Sequence, residues 1–198
     1  MFPELGRTVG YAVTCVFGMP DPSHDCLTLA NLVEALGKSR QPTILVFQQK
    51  FPPEVAGKVG LSGGIMTTTL KVAGCVGAIS NGPSRDIEEI RPMKFQYLLS
   101  GTTPGHGNMS IRAINVPVSV GGMDVAPGEI IHMDENGACK FPADRLEDVF
   151  NNVQALQQEE AARMDLLNQA KTIEDVLAIV QQNPYGDTKG GASSDSKN

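Results

Sequence analysis

Hydrophobic positions in the first half of the chain alternate between short apolar runs and segments with helical spacing. The runs are bounded by glycine, proline or polar residues, as buried strands commonly are. Strands are predicted for residues 6–18, 43–47, 76–79 and 95–99. Leucines near the helical period predict one helix that ends at Gly37, and a second helix is expected to begin at Gly63, with Ile65, Met66 and Leu70 on its buried side. Strands that alternate with helices indicate an α/β fold.

The pattern from residue 110 to residue 142 is typical of β structure. Apolar residues occupy every second position from 114 to 120, which predicts one strand that Pro117 pushes toward a sheet edge or a bulge. Glycine-containing turns separate three further predicted strands, at residues 123–125, 129–133 and 138–141. The Asn136-Gly137 pair between the last two strands predicts a β-hairpin.

The C-terminal part of the chain is predicted to be helical. Residues 143–169 carry an apolar stripe that we expect to pack on the sheet, and a second helix is predicted from Thr172 to about Gln182. The stripe consists of Leu146, Val149, Phe150, Val153 and Leu156. Residues 183–198 are polar and rich in glycine and serine, so we expect a disordered tail. The predicted organisation is one domain over residues 1–182, with C-terminal helices at about 143–182.

Composition narrows the class of protein. With 198 residues, 41% of them hydrophobic and 19% charged, the chain is long enough to bury a core and has ordinary globular character. The net charge is −6 and no basic stripe is present, which argues against nucleic-acid binding. No apolar run approaches a membrane span, and the N-terminus lacks the pattern of an export signal. The four cysteines lack metal-site spacing and three lie in apolar surroundings, so we expect buried thiols in a reducing cytoplasm.

The candidate site lies in the segment from Ser62 to Ile90, SGGIMTTTLKVAGCVGAISNGPSRDIEEI. We expect Ser62 to cap the helix that follows, so that the amides of the helix start are open to a carboxylate. Arg85 supplies a planar fork of donors for the same carboxylate, and Asp86 supplies oxygen for a cation such as Mg²⁺. Glu89, three residues later, is a candidate to share the face of Asp86. A plain tight turn and a solvated ion pair would give the same sequence pattern.

A second polar loop, SGTTPGHGN at residues 100–108, contains a histidine, a residue type that often serves as a catalytic acid or base. His106 stands between two glycines. Such a histidine is more often a mobile surface group than a catalytic one.

Three motifs in order resemble the RraA-like family, which includes 4-hydroxy-4-methyl-2-oxoglutarate aldolases and the regulator of ribonuclease activity A. They are GGIMTTTLKVAGCVGAISNGPSRDIEEI, SGTTPGHG and NVPVSVGGMDVAPGEIIHMDENGACKFP, and the resemblance covers roughly residues 5–165. It implies a swivelling β/β/α domain with a C-terminal helical extension. It also implies a homotrimer or a hexamer of paired trimers, with active sites between subunits.

The resemblance implies a metal-dependent lyase of class II aldolase type. In such enzymes Mg²⁺ or Mn²⁺ polarises the keto group of a 2-oxo acid, and aldol cleavage or oxaloacetate decarboxylation proceeds through a pyruvate enolate. Arg85 would bind the substrate carboxylate and keto oxygen, and Asp86 would be the acid on the metal side. The amides around Gly63, Gly64, Ile65 and Met66 would complete the carboxylate pocket. An acid from a neighbouring subunit would correspond to Glu159 or Glu160.

Two departures from the family pattern bear on this activity. The family's aldolases typically have Asp or Glu at the position of Gly64, so metal binding should be weaker in this chain. The family's N-terminal segment before the first strand is also short or missing here. A non-catalytic regulator that binds protein partners, such as a ribonuclease, through its acidic surface is the alternative function.

Overall fold

A seven-stranded mixed sheet forms the body of the computed structural model, which describes residues 2–23 and 27–182. Strands β4-β3-β2-β1-β8-β9 follow one another across this sheet, β5 also pairs with β1, and β6 and β7 form a separate hairpin. The strands are β1 (Thr8–Gly18), β2 (Thr43–Lys50), β3 (Cys75–Ser80), β4 (Gln96–Leu98), β5 (Ser110–Ile114), β6 (Val118–Val120), β7 (Met123–Val125), β8 (Ile130–Asp134) and β9 (Gly137–Phe141). The helices are α1 (Leu29–Lys38), α2 (Pro53–Ala56), α3 (Gly64–Val72), α4 (Ile87–Ile90), α5 (Leu146–Gln169) and α6 (Ile173–Gln182).

Strand β1 is the central strand of the sheet and pairs along both of its edges. On one edge it is parallel to β2 from Tyr11 to Gly18. On the other edge it is antiparallel to β8 over Thr8–Tyr11 and then to β5 over Cys15–Gly18. Strands β2, β3 and β4 continue the parallel part, so their carboxyl ends lie at one edge of the sheet.

Successive residues of the central strands face opposite sides of the sheet and build two hydrophobic clusters. Val13 and Phe47 belong to the first cluster, which includes residues of α1 and α3 such as Leu36 and Leu70. Val46 belongs to the second cluster, which the β6–β7 hairpin covers. Helices on one face and a β-hairpin on the other give the β/β/α layering that the resemblance to the RraA-like family implied.

Four expectations from the sequence are corrected. The strand predicted over residues 114–120 is two strands in different sheets, because the chain turns at Asn115, which has a φ of 55°. Helix α1 passes through Gly37 and ends at Lys38. Ile65 is exposed rather than on the buried side of its helix. Cys15 and Cys75 are buried as expected, whereas Cys139 is exposed.

The described contacts divide the chain into two compact units, residues 1–146 and 147–198. The second unit contains α5 and α6, with Thr172 Oγ1 accepting from the amide of Asp175 at the start of α6, 3.1 Å away. The expected single domain over residues 1–182 stays a prediction, and the predicted disordered tail lies outside the described residues.

The apolar stripe of α5 is not buried as the sequence led us to expect. The helix has no buried residue, and Phe150 and Leu156 are more than half exposed. A cavity of about 380 Å³ lies within the second unit, between Met164, Leu167 and Val180. Across residues 2–23 and 27–182, none of the helices combines the length and apolar character that crossing a membrane requires.

Candidate functional site

Three loops meet where the parallel strands β2, β3 and β4 end. The amide of Gly60 donates to the carbonyl of Gly105 at 2.8 Å, which joins the loop after β2 to the loop after β4. The amide of Thr103 donates to the carbonyl of Ser84 at 2.9 Å, which joins the loops after β3 and β4. The amide of Arg85 donates to the carbonyl of Ser62 at 3.1 Å, which joins the loop after β3 to the loop after β2. These backbone bonds hold the predicted site segments against one another.

Helix α3 begins at Gly64, and its N-cap is Gly63 without any side-chain cap. The prediction that Ser62 caps this helix is therefore wrong. The buried Ser62 hydroxyl lies 2.8 Å from the hydroxyl of Tyr97 and 3.1 Å from that of Ser84. A capping rule considers only neighbours in sequence, whereas this hydroxyl is bound by residues from other strands and loops.

Below the helix start, buried hydroxyl groups form a hydrogen-bonded network around Tyr97. Its phenol contacts Ser62 and also Thr67 Oγ1 at 2.9 Å, and Thr67 donates to the carbonyl of Gly63 at 2.8 Å. Burial raises the pKa of Tyr97 to about 12, so the phenol stays neutral in the folded protein at neutral pH. A satisfied buried network of this kind fixes the Ser62–Gly63 backbone.

Arg85 is anchored at one end of its guanidinium. One terminal nitrogen donates to the carbonyl of Gly60 at 2.7 Å, and Nε lies 3.6 Å from Asp86 Oδ2. The Arg85 side chain is 20% exposed, so part of the planar fork remains accessible from solution. The arrangement fixes the direction of the side chain and leaves donor capacity for a ligand.

Asp86 has a left-handed backbone conformation, as do Lys94 and Asn115 among the described non-glycine residues. Its φ is 58° and its ψ is 40°, the left-handed region that aspartate tolerates better than most residues. From there its carboxylate reaches across to helix α3 and accepts from the amide of Gly64 at 3.1 Å. The first amide of the nine-residue helix α3 has no acceptor within the helix, and it therefore donates to the carboxylate of Asp86 in the same chain.

Two glycines make room for two carboxylates. A Cβ on Gly63 would collide with Asp86 Oδ2 and would also approach Arg85 Nε within 2.9 Å. A Cβ on Gly64 would collide with Glu89 Oε2. The Gly63-Gly64 backbone is thus a cradle whose side-chain space is filled by acids from the segment that follows β3.

This set of oxygen donors fits a hard divalent cation such as Mg²⁺ or Mn²⁺ better than it fits zinc. Among the described residues no three His, Cys, Asp or Glu side chains converge as a complete metal site. Mg²⁺ commonly binds through one or two carboxylates and keeps several waters. Oxygen donors from Asp86 and Glu89 around an open glycine cradle meet that requirement, while zinc sites usually include histidine or cysteine ligands.

The structure brings together Gly63, Gly64, Arg85, Asp86 and Glu89. The side chain of Ile65 is 87% exposed and that of Met66 packs partly against the core, so only their backbone amides could serve a ligand. Glu159 and Glu160 lie on α5 in the second unit, and their role in a neighbouring site stays a prediction.

Sequence reasoning did not find every residue that shapes the site. His106 is exposed, with Nδ1 lying 3.1 Å from the carbonyl of its neighbour Gly107, in agreement with a surface group. Gly60, which anchors Arg85, and Tyr97, which anchors the helix start, carried no local signal in the sequence.

Comparison with known proteins identifies relatives of this arrangement. A protein-family model for RraA-like proteins, described as Aldolase/RraA, matches residues 2–139. An uncharacterised protein of Methanocaldococcus jannaschii is 28% identical over 118 residues, which cover 59% of this chain and 57% of that protein. A Halalkalibacterium halodurans protein provisionally named a 4-hydroxy-4-methyl-2-oxoglutarate aldolase is 30% identical over 104 residues, or 52% of this chain and 50% of that protein.

Solved structures share the fold. A Streptomyces coelicolor protein, described as an unusual member of the RNase ES inhibitor RraA protein family, superimposes with a TM-score of 0.65 and 26% identity, covering 81% of this chain and 79% of that one. An uncharacterised Pseudomonas syringae protein gives a TM-score of 0.69 at 20% identity, covering 87% and 76% of the two chains. The chain spans about half the length of the curated relatives reported above. With the family model matched over most of its length, the chain belongs to the RraA-like family.

Proposed function

We propose that the protein is a divalent-metal-dependent lyase that cleaves or decarboxylates a 2-oxo dicarboxylic acid, of the 4-hydroxy-4-methyl-2-oxoglutarate or oxaloacetate type. The observation that carries this proposal is the placement of Arg85 and Asp86 side by side over the Gly63-Gly64 backbone. The name of the Halalkalibacterium halodurans relative supports the choice of reaction class.

Arg85 binds and orients the substrate in this proposal. Its anchored end holds the guanidinium in place through Gly60, and its accessible donors pair with a planar carboxylate and the adjacent keto oxygen. Helix geometry leaves the amides of Ile65 and Met66 without an intrahelical acceptor, so they supplement these donors. The same donors stabilise the negative charge that develops on the keto oxygen when the carbon–carbon bond breaks.

Asp86 would hold the cation, Mg²⁺ or Mn²⁺. When bound there, the cation supplies Lewis-acid polarisation of the substrate keto group. The left-handed backbone of Asp86 and its bond to the Gly64 amide fix the carboxylate before any ligand enters. This preorganisation reduces the rearrangement that binding requires.

We further propose that the chain assembles as a homotrimer or a hexamer in the cytoplasm. Ile65 and Val72 lie seven residues apart on α3, near two full turns, and are 87% and 85% exposed, which leaves two large apolar side chains uncovered on one side of this helix. The exposed stripe of α5 is a second surface of the same kind. The free, buried thiols of Cys15 and Cys75 suit a reducing compartment.

The direct test is pyruvate release from oxaloacetate and from 4-hydroxy-4-methyl-2-oxoglutarate, with and without Mg²⁺. Asp86→Asn should lower kcat/KM by roughly 100-fold or more, since it removes the acid of the cation site. Asp124→Asn removes an exposed acid on β7 and serves as the matched control. If the unaltered protein releases no pyruvate above the metal-only blank on either substrate, the proposed function is rejected.

A further inference from the structure

Membership of the RraA-like family does not by itself explain why the acid Glu89 lies at this site. Its Oε2 lies where the side chain of residue 64 would begin, so the glycine at that position leaves the space to Glu89. No hydrogen bond or ion pair engages the Glu89 carboxylate within residues 2–23 and 27–182. Asp86, by contrast, is bound by both Arg85 and Gly64.

Local backbone geometry holds the two acids in fixed relation. The amides of Glu89 and Ile90 both donate to the carbonyl of Asp86 at 3.0 Å, which forms a single tight helical turn. Ile90 is fully buried in the core and Ile87 packs partly against it, so this turn is seated on the body of the domain. Asp86 and Glu89 therefore extend from one anchored turn over two consecutive glycines.

The charges around the cradle do not balance within the chain. Arg85 supplies one positive charge and is paired with Asp86. Glu89 brings a second carboxylate to the same cradle without a cationic partner among the described residues. A hard cation beside the two carboxylates would offset this charge, and two carboxylates with several waters are a common ligand set for Mg²⁺.

We propose that Glu89 is the second carboxylate of the cation site, acting with Asp86 directly or through a bound water, and that residue 64 is glycine because a side chain there would displace it. This inference deepens the proposed function and rests on it for the presence of the cation. The acid that fills the space beside Gly64 is then Glu89, which lies in the turn after β3, three residues beyond Asp86.

The first test measures Mn²⁺ binding to the full chain by electron paramagnetic resonance and by calorimetry, which needs no turnover. Glu89→Gln removes the charge with little change in size, and Glu88→Gln removes a charge from the adjacent exposed residue. Loss of the Glu89 carboxylate should weaken Mn²⁺ affinity by roughly ten-fold or more. Glu88 and Glu89 are both exposed, but only Glu89 reaches the glycine cradle, so the Glu88 variant should differ from the unaltered protein by no more than about two-fold.

The second test exchanges the positions of the acid. Glu89→Ala vacates the space, because the nearest remaining atom to a Cβ on residue 64 is then the Glu89 Cβ position at 3.6 Å, an ordinary contact. Adding Gly64→Asp to Glu89→Ala should recover Mn²⁺ affinity to within about three-fold of the unaltered protein. The single Gly64→Asp variant should not exceed the unaltered protein, since two carboxylates then compete for one space.

The outcomes separate this inference from the proposed function. Equal Mn²⁺ affinities for Glu89→Gln and Glu88→Gln, or an exchanged variant no better than Glu89→Ala alone, overturn the role of Glu89 and leave the lyase proposal standing. Absence of Mn²⁺ binding in the unaltered protein overturns both. A loss confined to Glu89→Gln together with recovery in the exchanged variant supports the assignment, whatever the substrate is.

Discussion

A single methyl group added to the loop after β4 should disable the site. Gly105 lies in the loop after β4, and a Cβ there would collide with the carbonyl oxygen of Lys58 and approach its carbon to 3.0 Å. Both atoms belong to the backbone, so neither can turn away as a side chain would. Gly105→Ala therefore forces the loop of residues 100–108 away from residues 58–60.

The magnitude follows from the bonds that meet at Gly60. Its amide donates to the Gly105 carbonyl at 2.8 Å, and its own carbonyl accepts from Arg85 at 2.7 Å. Loss of one buried backbone hydrogen bond costs about 1 kcal/mol net, and a forced backbone shift adds about 1–3 kcal/mol, so we expect a loss of about 2–4 kcal/mol in the free energy of unfolding. A displacement of Arg85 by about 1 Å should lower kcat/KM by about 100-fold.

Urea unfolding followed by circular dichroism measures the first quantity, and pyruvate release measures the second. Gly57→Ala is the matched control, because a Cβ at residue 57 meets nothing within 4 Å and its φ of −75° suits alanine. This control should be as stable as the unaltered protein or more stable by up to about 1 kcal/mol. If the Gly105 and Gly57 variants unfold at the same urea concentration, the two loops do not interlock as described.

Three further predictions concern Arg85, the buried network and the cation. Arg85→Lys keeps the charge but loses the planar fork, so kcat/KM should fall roughly 10–100-fold, while loss of the bond to the Gly60 carbonyl should lower the melting temperature by no more than about 4 °C; unchanged kinetics would contradict bidentate binding. Burial raises the pKa of Cys75 to about 11 and that of Tyr97 to about 12 from ordinary values near 9 and 10, so the unfolded chain loses these protons first. Stability should be fully present below pH 9 and fall as the pH rises toward 12, and Tyr97→Phe should reduce that fall between pH 10 and 12 while costing about 1–2 kcal/mol at neutral pH. Removal of divalent cations with EDTA should abolish pyruvate release, and Mg²⁺ or Mn²⁺ should restore it; turnover that persists in EDTA would exclude the proposed chemistry.

Local patterns in the sequence predicted most of the elements, because the patterns that indicate strands and turns span only a few residues. The Asn136-Gly137 hairpin is confirmed, with Asp134 paired to Gly137 across the turn. The single strand expected over residues 114–120 is wrong for a long-range reason. The amide of Asn115 donates to the carbonyl of Thr14 at 2.8 Å, and the Thr14 hydroxyl donates to the carbonyl of Val116 at 2.6 Å. Bonds to a residue about 100 positions away bend the chain there, and the alternating pattern does not reveal them.

In the site, too, neighbours in the sequence could be predicted, whereas positions that depend on contacts between distant segments could not. Arg85 and Asp86 are neighbours in the sequence, and their approach to Gly63 was expected from the motif that contains all three. The position of Glu89 beside Gly64 depends on how the turn after β3 packs on helix α3, which periodicity does not express. Helical amphipathicity likewise predicted that α5 carries an apolar stripe, but it specifies no partner for that stripe.

The pairing of β1 along both edges has a consequence for synthesis of the chain. Its parallel neighbour β2 follows within about 25 residues, whereas the strands that complete its other edge, β5 and β8, begin only at Ser110 and Ile130. While the ribosome is still making the intervening hundred residues, an apolar strand is left with one open edge, a template for pairing with other chains. Nascent fragments that stop before β5 should therefore aggregate, while chains released after β8 should fold without assistance at the same concentration.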